Sequence, residues 1–190
     1  GTSGLSGGSP GVDTDFAQMA HAAVSHLAGL GHRRVVALMR ETIHDDSHAR
    51  QDQTHELLRA TGELAVDVLV RQVPELALAG GDIVGADGLV DGRTAVISNN
   101  PAAVVGLACA VQAHGLSIPA DLSVLTLGVT EYRGRQGEAF SELSVDREAM
   151  GVAAGSLLLT RLRGEPAPVE RRTLMSAVLT DHGSTARCRD

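Results

Sequence analysis

Short aliphatic runs alternate with stretches of helical period along most of this chain, and four of those stretches end at a glycine: Gly31, Gly62, Gly115 and Gly164. A strand–helix–strand alternation closes most simply as a parallel sheet with right-handed crossovers and helices on its faces. The aliphatic runs are Arg34–Arg40 (RVVALMR), Ala65–Val70, Thr94–Ser98, Ser123–Leu127 and a short one near Leu143–Val145, with a last strand expected over Val169–Leu179. Helices are expected over Thr14–Leu30, Ser47–Thr61, Pro101–His114 and Arg147–Arg163. In the first, Phe16, Met19, Ala20, Ala23, Val24, Leu27 and Leu30 keep the 3.6-residue period. Thr14 is expected to cap its start and Gly31 to take the left-handed position past its end. The second helix has a thin apolar face, so one side is expected to meet solvent or a cleft. Residues 1–12 read as a loop, 73–93 as loops around at most one short helix, and 130–137 as polar and irregular.

Composition agrees with that architecture. Hydrophobic residues make up 43% of the chain but aromatics only 2%, so the core must be built from Val, Leu, Ile and Ala. Aliphatic strands buried on both faces are what parallel sheets require. The same scarcity excludes modules that stack nucleobases on aromatic rings. The formal net charge is −7, and the 16 basic residues, all arginine, form no run long enough to follow a phosphate backbone. Direct DNA binding by this stretch is therefore not expected. Cys109 and Cys188 make no disulfide framework. No apolar run approaches the roughly 20 residues that span a bilayer, and no signal peptide opens the sequence. A cytoplasmic location without membrane contact is the expectation.

In a sheet of this kind ligands sit beyond the carboxyl ends of the strands. The residues to inspect follow Met39, Val70, Ser98 and Leu127. Asn99-Asn100-Pro101 closes a strand and opens a helix. Asn100 is explained as a helix cap, whereas one cap leaves Asn99 over, and its amide can both donate to and accept from a ligand. Arg50 lies in the first turn of the second helix, where a cation is disfavoured by the helix dipole. It is either a solvated surface arginine or a fork for paired hydroxyls or a carboxylate. Asp13 and Asp15 flank the first helix start, where carboxylates are ordinary partners of the dipole. His44, Asp45, Asp46, His48, Asp52 and His55 crowd one segment, but the spacing lacks the tight ligand pairs of a zinc site, and a polar helix face accounts for them. No metal, no cofactor and no catalytic residue is expected. The chain carries no GxGxxG or GxxxxGK[ST] motif.

Four blocks, in order, resemble the lactose-repressor/galactose-repressor (LacI/GalR) family of bacterial transcription regulators. Asp15–Ala37 (DFAQMAHAAVSHLAGLGHRRVVA) is similar to that family's acidic residue, small-residue helix, HL, LGHRR and aliphatic strand. Thr94–Val124 resembles its strand, Asn-Asp pair, helix, Ile-Pro and "SV" strand. Leu143–Gly164 resembles its "LTTV" segment and the helix after it, and Leu179–Thr185 its closing "RgSt", with His182 in place of Arg. The resemblance covers almost all of the chain from Val12.

It implies the type I periplasmic-binding-protein fold: α/β, two lobes, each a parallel sheet flanked by helices. One lobe would be nearly complete and the other partial. Residues 13–33 and 142–165 would belong to the N-terminal lobe, 34–141 and 166–190 to the C-terminal effector-binding lobe, with the helix-turn-helix domain absent from this chain. The implied function is ligand sensing. A small effector, sugar-like or a related metabolite, binds between the lobes and controls operator DNA affinity through the missing segment, in a homodimer. A periplasmic solute receptor of the same fold is the alternative. By position, Asp15, Arg50 and Asn99 match places that often touch the effector, and Asn100 matches a place usually held by Asp. The family's Gly-aromatic-Asp-Asp after the "SV" strand is replaced here by Gly128-Val129, and its Pro-Pro by Ser141-Glu142.

Overall fold

Strand β2 (Arg34–Arg40) organises the molecule, because five of its seven residues are buried and its side chains feed two cores. Val35, Ala37 and Met39 point to one face of the sheet, Val36 and Leu38 to the other. This is the period-2 alternation of a strand covered on both sides. The structure, a computed structural model, describes residues 11–41, 48–74, 81–85, 88–128, 139–165 and 172–189.

In chain order the strands and helices are β1 (Gly11–Thr14), α1 (Phe16–Gly29), β2, α2 (His48–Glu63), β3 (Asp67–Val73), a short hairpin of β4 (Val84–Gly85) and β5 (Gly88–Leu89), β6 (Ala95–Ser98), α3 (Pro101–Ala113), β7 (Ser123–Leu127), β8 (Ser141–Ser144), α4 (Arg147–Leu162), β9 (Arg172–Met175) and β10 (Val178–Thr180). Six strands form one sheet in the order β10-β8-β7-β6-β2-β3. Five of them are parallel, and β10 joins the edge antiparallel to β8. On one face α1 and α2 cover the sheet with Met19, Ala20, Ala23, Val24, Leu27, Leu57 and Ala60. On the other, α3 supplies Ala103, Val104, Leu107 and Val111. This is the aliphatic, helix-flanked parallel sheet that composition and periodicity indicate.

A second, smaller unit pairs β1 with β9 in parallel, Gly11 opposite Arg172, and places α4 beside β1. Among the described residues α4 buries none of its side chains, and Val152, Leu158, Leu159 and Leu162 are exposed. The backbone N–H of Asp15 donates to Met175 O at 2.9 Å, and the amide of Gln18 exchanges hydrogen bonds with both backbone groups of Ala177. These contacts join the two units.

Several expectations need correction. Helix α1 does not belong with the smaller unit: its apolar stripe is sealed against the six-stranded sheet, as are β8 and its Leu143. The predicted final strand is two strands in different sheets, β9 in the small unit and β10 in the large one, so the segment crosses between units at Ser176-Ala177. The bounds 13–33 and 142–165 for one lobe, and 34–141 and 166–190 for the other, do not coincide with the two sheets: α1 and β8 pack in the large one, and β9 pairs with β1 in the small one. Residues 11 and 12 are strand rather than loop. Asp15, not Thr14, caps α1. Gly62 lies inside α2, and the left-handed residue after that helix is Ala65, at φ 52°. The third strand starts at Asp67 and continues to Val73, past its expected end at Val70. Gly31, Gly115 and Gly164 do take positive φ after α1, α3 and α4. The irregular reading of 130–137 lies outside the described residues.

Candidate functional site

The carboxyl ends of β2, β6, β7 and β8 lie along one edge of the large sheet, and the start of every long helix comes to that edge. Helix α3 starts there because Asn100 ends the extended chain and caps it, its Oδ1 accepting from Ala103 N at 3.3 Å, with Pro101 as the first helical residue. Helix α4 starts there because Asp146 accepts from Ala149 N at 2.9 Å. Helix α1 runs antiparallel to β2, so its cap, Asp15, reaches the same edge and accepts from Gln18 N at 2.9 Å. The small unit joins the large one at Asp15 and Gln18, beside this edge. Helix N-termini present backbone N–H groups and positive dipole ends, so this edge suits hydroxyl or anionic oxygen.

Of the predicted residues, the fold brings Asp15, Asn99 and Asn100 to this edge. Arg50 sits in the first turn of α2, as expected, and its side chain lies outside the described residues. Asn100 is fully buried, and its Nδ2 donates to Val73 O at 3.3 Å and Pro74 O at 3.1 Å. One residue thus caps α3 and ties the end of β3. Asn99 is held as firmly: its Oδ1 accepts from Arg40 N and its Nδ2 donates to Gln53 Oε1, both at 2.7 Å. Gln53 on α2 is buried, and its own Nε2 donates to the thioether of Met19 at 3.5 Å. Sequence reasoning missed Gln53, because nothing in a helix-period pattern separates a buried amide from a solvated one. It also missed Arg147, whose guanidinium donates to Gly128 O at 3.0 Å and ties the start of α4 to the end of β7. Val129 lies outside the described residues.

Among the described residues no group of His, Cys, Asp and Glu could hold a metal. Of the His/Asp-rich segment, Asp52 and His55 are exposed, His48 opens α2 with its side chain outside the described residues, and His44, Asp45 and Asp46 lie outside them altogether. No helix among the described residues is long and apolar enough to cross a membrane. A concavity of about 400 Å³ lies elsewhere, between the carboxyl-terminal half of α3, Phe140 and Gly183. It is at the opposite end of α3 from Asn100, so it does not belong to the edge where the helix starts meet. The hydroxyl of Ser141, although it donates to Asp181 at 2.7 Å, is fully buried and accepts the N–H groups of His182 and Ser184. It closes a turn and is shielded from any substrate.

A family profile described as "Periplasmic binding protein-like domain" matches residues 12–185. The chain is 24% identical over 180 residues to a probable opine utilization operon repressor of Rhizobium rhizogenes, covering 90% of this chain and 91% of that protein. Among solved structures it is similar to a LacI family transcriptional regulator from Bifidobacterium animalis, with TM-score 0.83 and 19% identity over 99% of this chain and 68% of that one. A LacI family regulator from Enterococcus faecium, solved with bound ribose, superposes with TM-score 0.73 at 21% identity, covering 96% of this chain and 68% of that one.

Proposed function

The chain belongs to the periplasmic binding protein-like domain family, and on that premise we propose that it is the effector-sensing part of a LacI-family transcription regulator. The observation that carries this reading is the convergence of the starts of α1, α2, α3 and α4 on one edge of the large sheet, beside the junction with the small unit. Such an edge binds a small polar metabolite through backbone N–H groups and a few side chains. Asp15, Arg50, Asn99 and Asn100 are the residues we assign to it. Asn100 acts by holding the start of α3, Asn99 from its place beside Gln53, and Arg50 and Asp15 as direct polar contacts. The named relatives support a regulator over a solute receptor: one is a probable repressor of an opine operon, and others are transcriptional regulators. A sensing role requires no turnover, so the chain is read as a binding module and not an enzyme.

The effector acts by favouring one disposition of the small unit relative to the large one. It shifts that balance only by its differential affinity for the two, typically about 1–3 kcal/mol. With a net charge of −7, the chain leaves operator DNA to another segment of the whole regulator, which is expected to act as a cytoplasmic homodimer.

A thermal-shift panel of D-ribose and other sugars, sugar phosphates, nucleobases, amino acids and opines tests the reading. A ligand present at about 100 times its Kd adds roughly 2.7 kcal/mol of stability. The gain is expected to disappear in Arg50→Ala and Asp15→Ala. Stabilisation that survives both substitutions, or a ligand consumed during the assay, would overturn it.

A further inference from the structure

The carboxyl-terminal tail returns to the amino ends of β6 and β7, at the opposite end of the sheet from the proposed effector edge, and closes over His32. Cys188 N donates to Leu30 O at 2.8 Å, Ala186 N to Ser123 Oγ at 2.9 Å, and Thr185 Oγ1 meets His26 Nε2 at 2.9 Å. His32 is 2% exposed and lies at the centre of these contacts. Its Nε2 is 3.0 Å from Ala186 O and 3.0 Å from Ser123 Oγ, and its Nδ1 is 2.7 Å from Thr94 Oγ1. A carbonyl oxygen only accepts, so the ring proton sits on Nε2 and Nδ1 accepts from the Thr94 hydroxyl. Thr94 Oγ1 in turn lies 3.4 Å from Cys188 Sγ. The neutral ring thus ties the tail to the starts of both strands.

We propose that His32 is a pH-sensitive latch: the neutral imidazole holds residues 185–188 against the sheet, and a proton taken from solvent onto Nδ1 releases them. Among the described residues no carboxylate hydrogen-bonds the ring. The ionisable groups on the surrounding segments are mostly cationic: His26 on α1, Arg33 and Arg34 at β2, Arg93 beside Thr94, His182, and Arg187 and Arg189 in the tail, with Cys188. The acidic groups there are engaged elsewhere. Asp121 pairs with Arg189 at 3.7 Å, Asp67 with Arg93 at 2.9 Å, and Asp181 with the turn at Ser141 and Gly183. Among the described residues an imidazolium formed inside this shell meets no carboxylate partner, whereas in an undocked tail it is hydrated. The Thr94 and Thr185 hydroxyls can each turn to accept from a protonated ring, so release rests on the cost of burying the His32 charge; His26 is only partly buried, and its charge stays hydrated.

Burial holds the His32 ring below its ordinary value of 6.5, the hydrogen bond to Ala186 opposes this in part, and His26 adds to it. The undocked ring therefore binds a proton more readily than the docked one. Docking is at full strength above pH 6.5 and weakens as pH falls through that value toward the lower docked one.

The test is amide exchange of Ala186 and Cys188 by NMR from pH 7.5 to 5, corrected for intrinsic rates, with the His32 ring followed in the same samples. Protection of both amides is expected to fall as pH drops below 6.5, by no more than about tenfold per pH unit, one proton being linked to release. Helix α3 amides are expected to keep theirs. His32→Gln, which keeps a donor near Nε2, is expected to remove the pH step, and His26→Gln to leave it in place. Should His32→Gln fail to dock the tail, the ring titration in the wild-type chain decides. Coincidence with loss of tail protection supports the latch. A ring that titrates while Ala186 and Cys188 stay protected, or a pH step that persists in His32→Gln, overturns it.

Discussion

Asn99 and Gln53 exchange a buried amide hydrogen bond at 2.7 Å, linking the carboxyl end of β6 to the inner face of α2. The other end of Asn99 accepts from Arg40 N at the same distance, so three elements meet at one side chain. Asn99→Leu is expected to destabilise the fold by about 1–3 kcal/mol, because it removes the acceptor of the part-buried Arg40 N–H and the donor to the Gln53 carbonyl together. Gln53→Leu is expected to cost less, since it leaves the Arg40 N–H paired. Urea denaturation of the two variants checks the order. Equal or reversed costs would mean that the Arg40–Asn99 bond contributes little.

At Asn100 the structure explains an amide where the resemblance leads one to expect a carboxylate. Aspartate would keep the cap on Ala103 N but place a charge against the carbonyls of Val73 and Pro74, which the amide now serves as donor. Asn100→Asp is expected to lose about 1–3 kcal/mol despite preserving the cap. If Asn100→Asp matches the wild-type midpoint in guanidinium, the tie to β3 is energetically idle.

The placement of α1 against the large sheet, and the exposure of α4, make opposite predictions for two leucines. Leu27 is fully buried, so Leu27→Ala is expected to cost about 2–5 kcal/mol. Leu162 is 73% exposed, so Leu162→Ser is expected to stay within about 0.5 kcal/mol. Thermal unfolding of the isolated chain distinguishes them. A large cost at Leu162 would show that its face is covered in solution.

Acid sensitivity has a second, lower component. The Gly183 N–H and the Ser141 hydroxyl hold the Asp181 carboxyl below its usual 3.8, and the Ser117 hydroxyl and N–H do the same for Asp121. Both groups are more acidic folded than unfolded. Their contribution is complete above pH 3.8 and is lost as pH falls from there through the depressed folded values. Stability measured by denaturant from pH 8 to 3 is expected to fall first below 6.5 through His32 and again below 3.8. Asp181→Asn is expected to shrink only the lower step. If it alters the upper one, the turn at Ser141 and the His32 latch are a single unit.

Much of this molecule is written locally. β2 and β7 occupy the residues that their aliphatic runs delimit, and α1, α3 and α4 end where a glycine can take positive φ, because burial period and backbone sterics act over a few residues. Asn100 is legible as a cap for the same reason. Nothing in the sequence of α2 distinguishes Gly62 as an interior residue from Gly62 as a terminus, and the helix instead ends on a strained Ala65.

What the sequence by itself determined was the aliphatic core that layers helices on a parallel sheet, the four long helices, and the cap at Asn100. Only the tertiary structure decided which sheet each segment joins and what each polar side chain holds. β9 and β10 are continuous in sequence yet separate in space, and α1 is sealed under the large sheet although its cap also touches the small one. The reason is physical: a strand's partner and a buried amide's acceptor are supplied by residues distant along the chain, 46 positions between Gln53 and Asn99 and 159 between Gln18 and Ala177. No period or motif along the chain records those meetings.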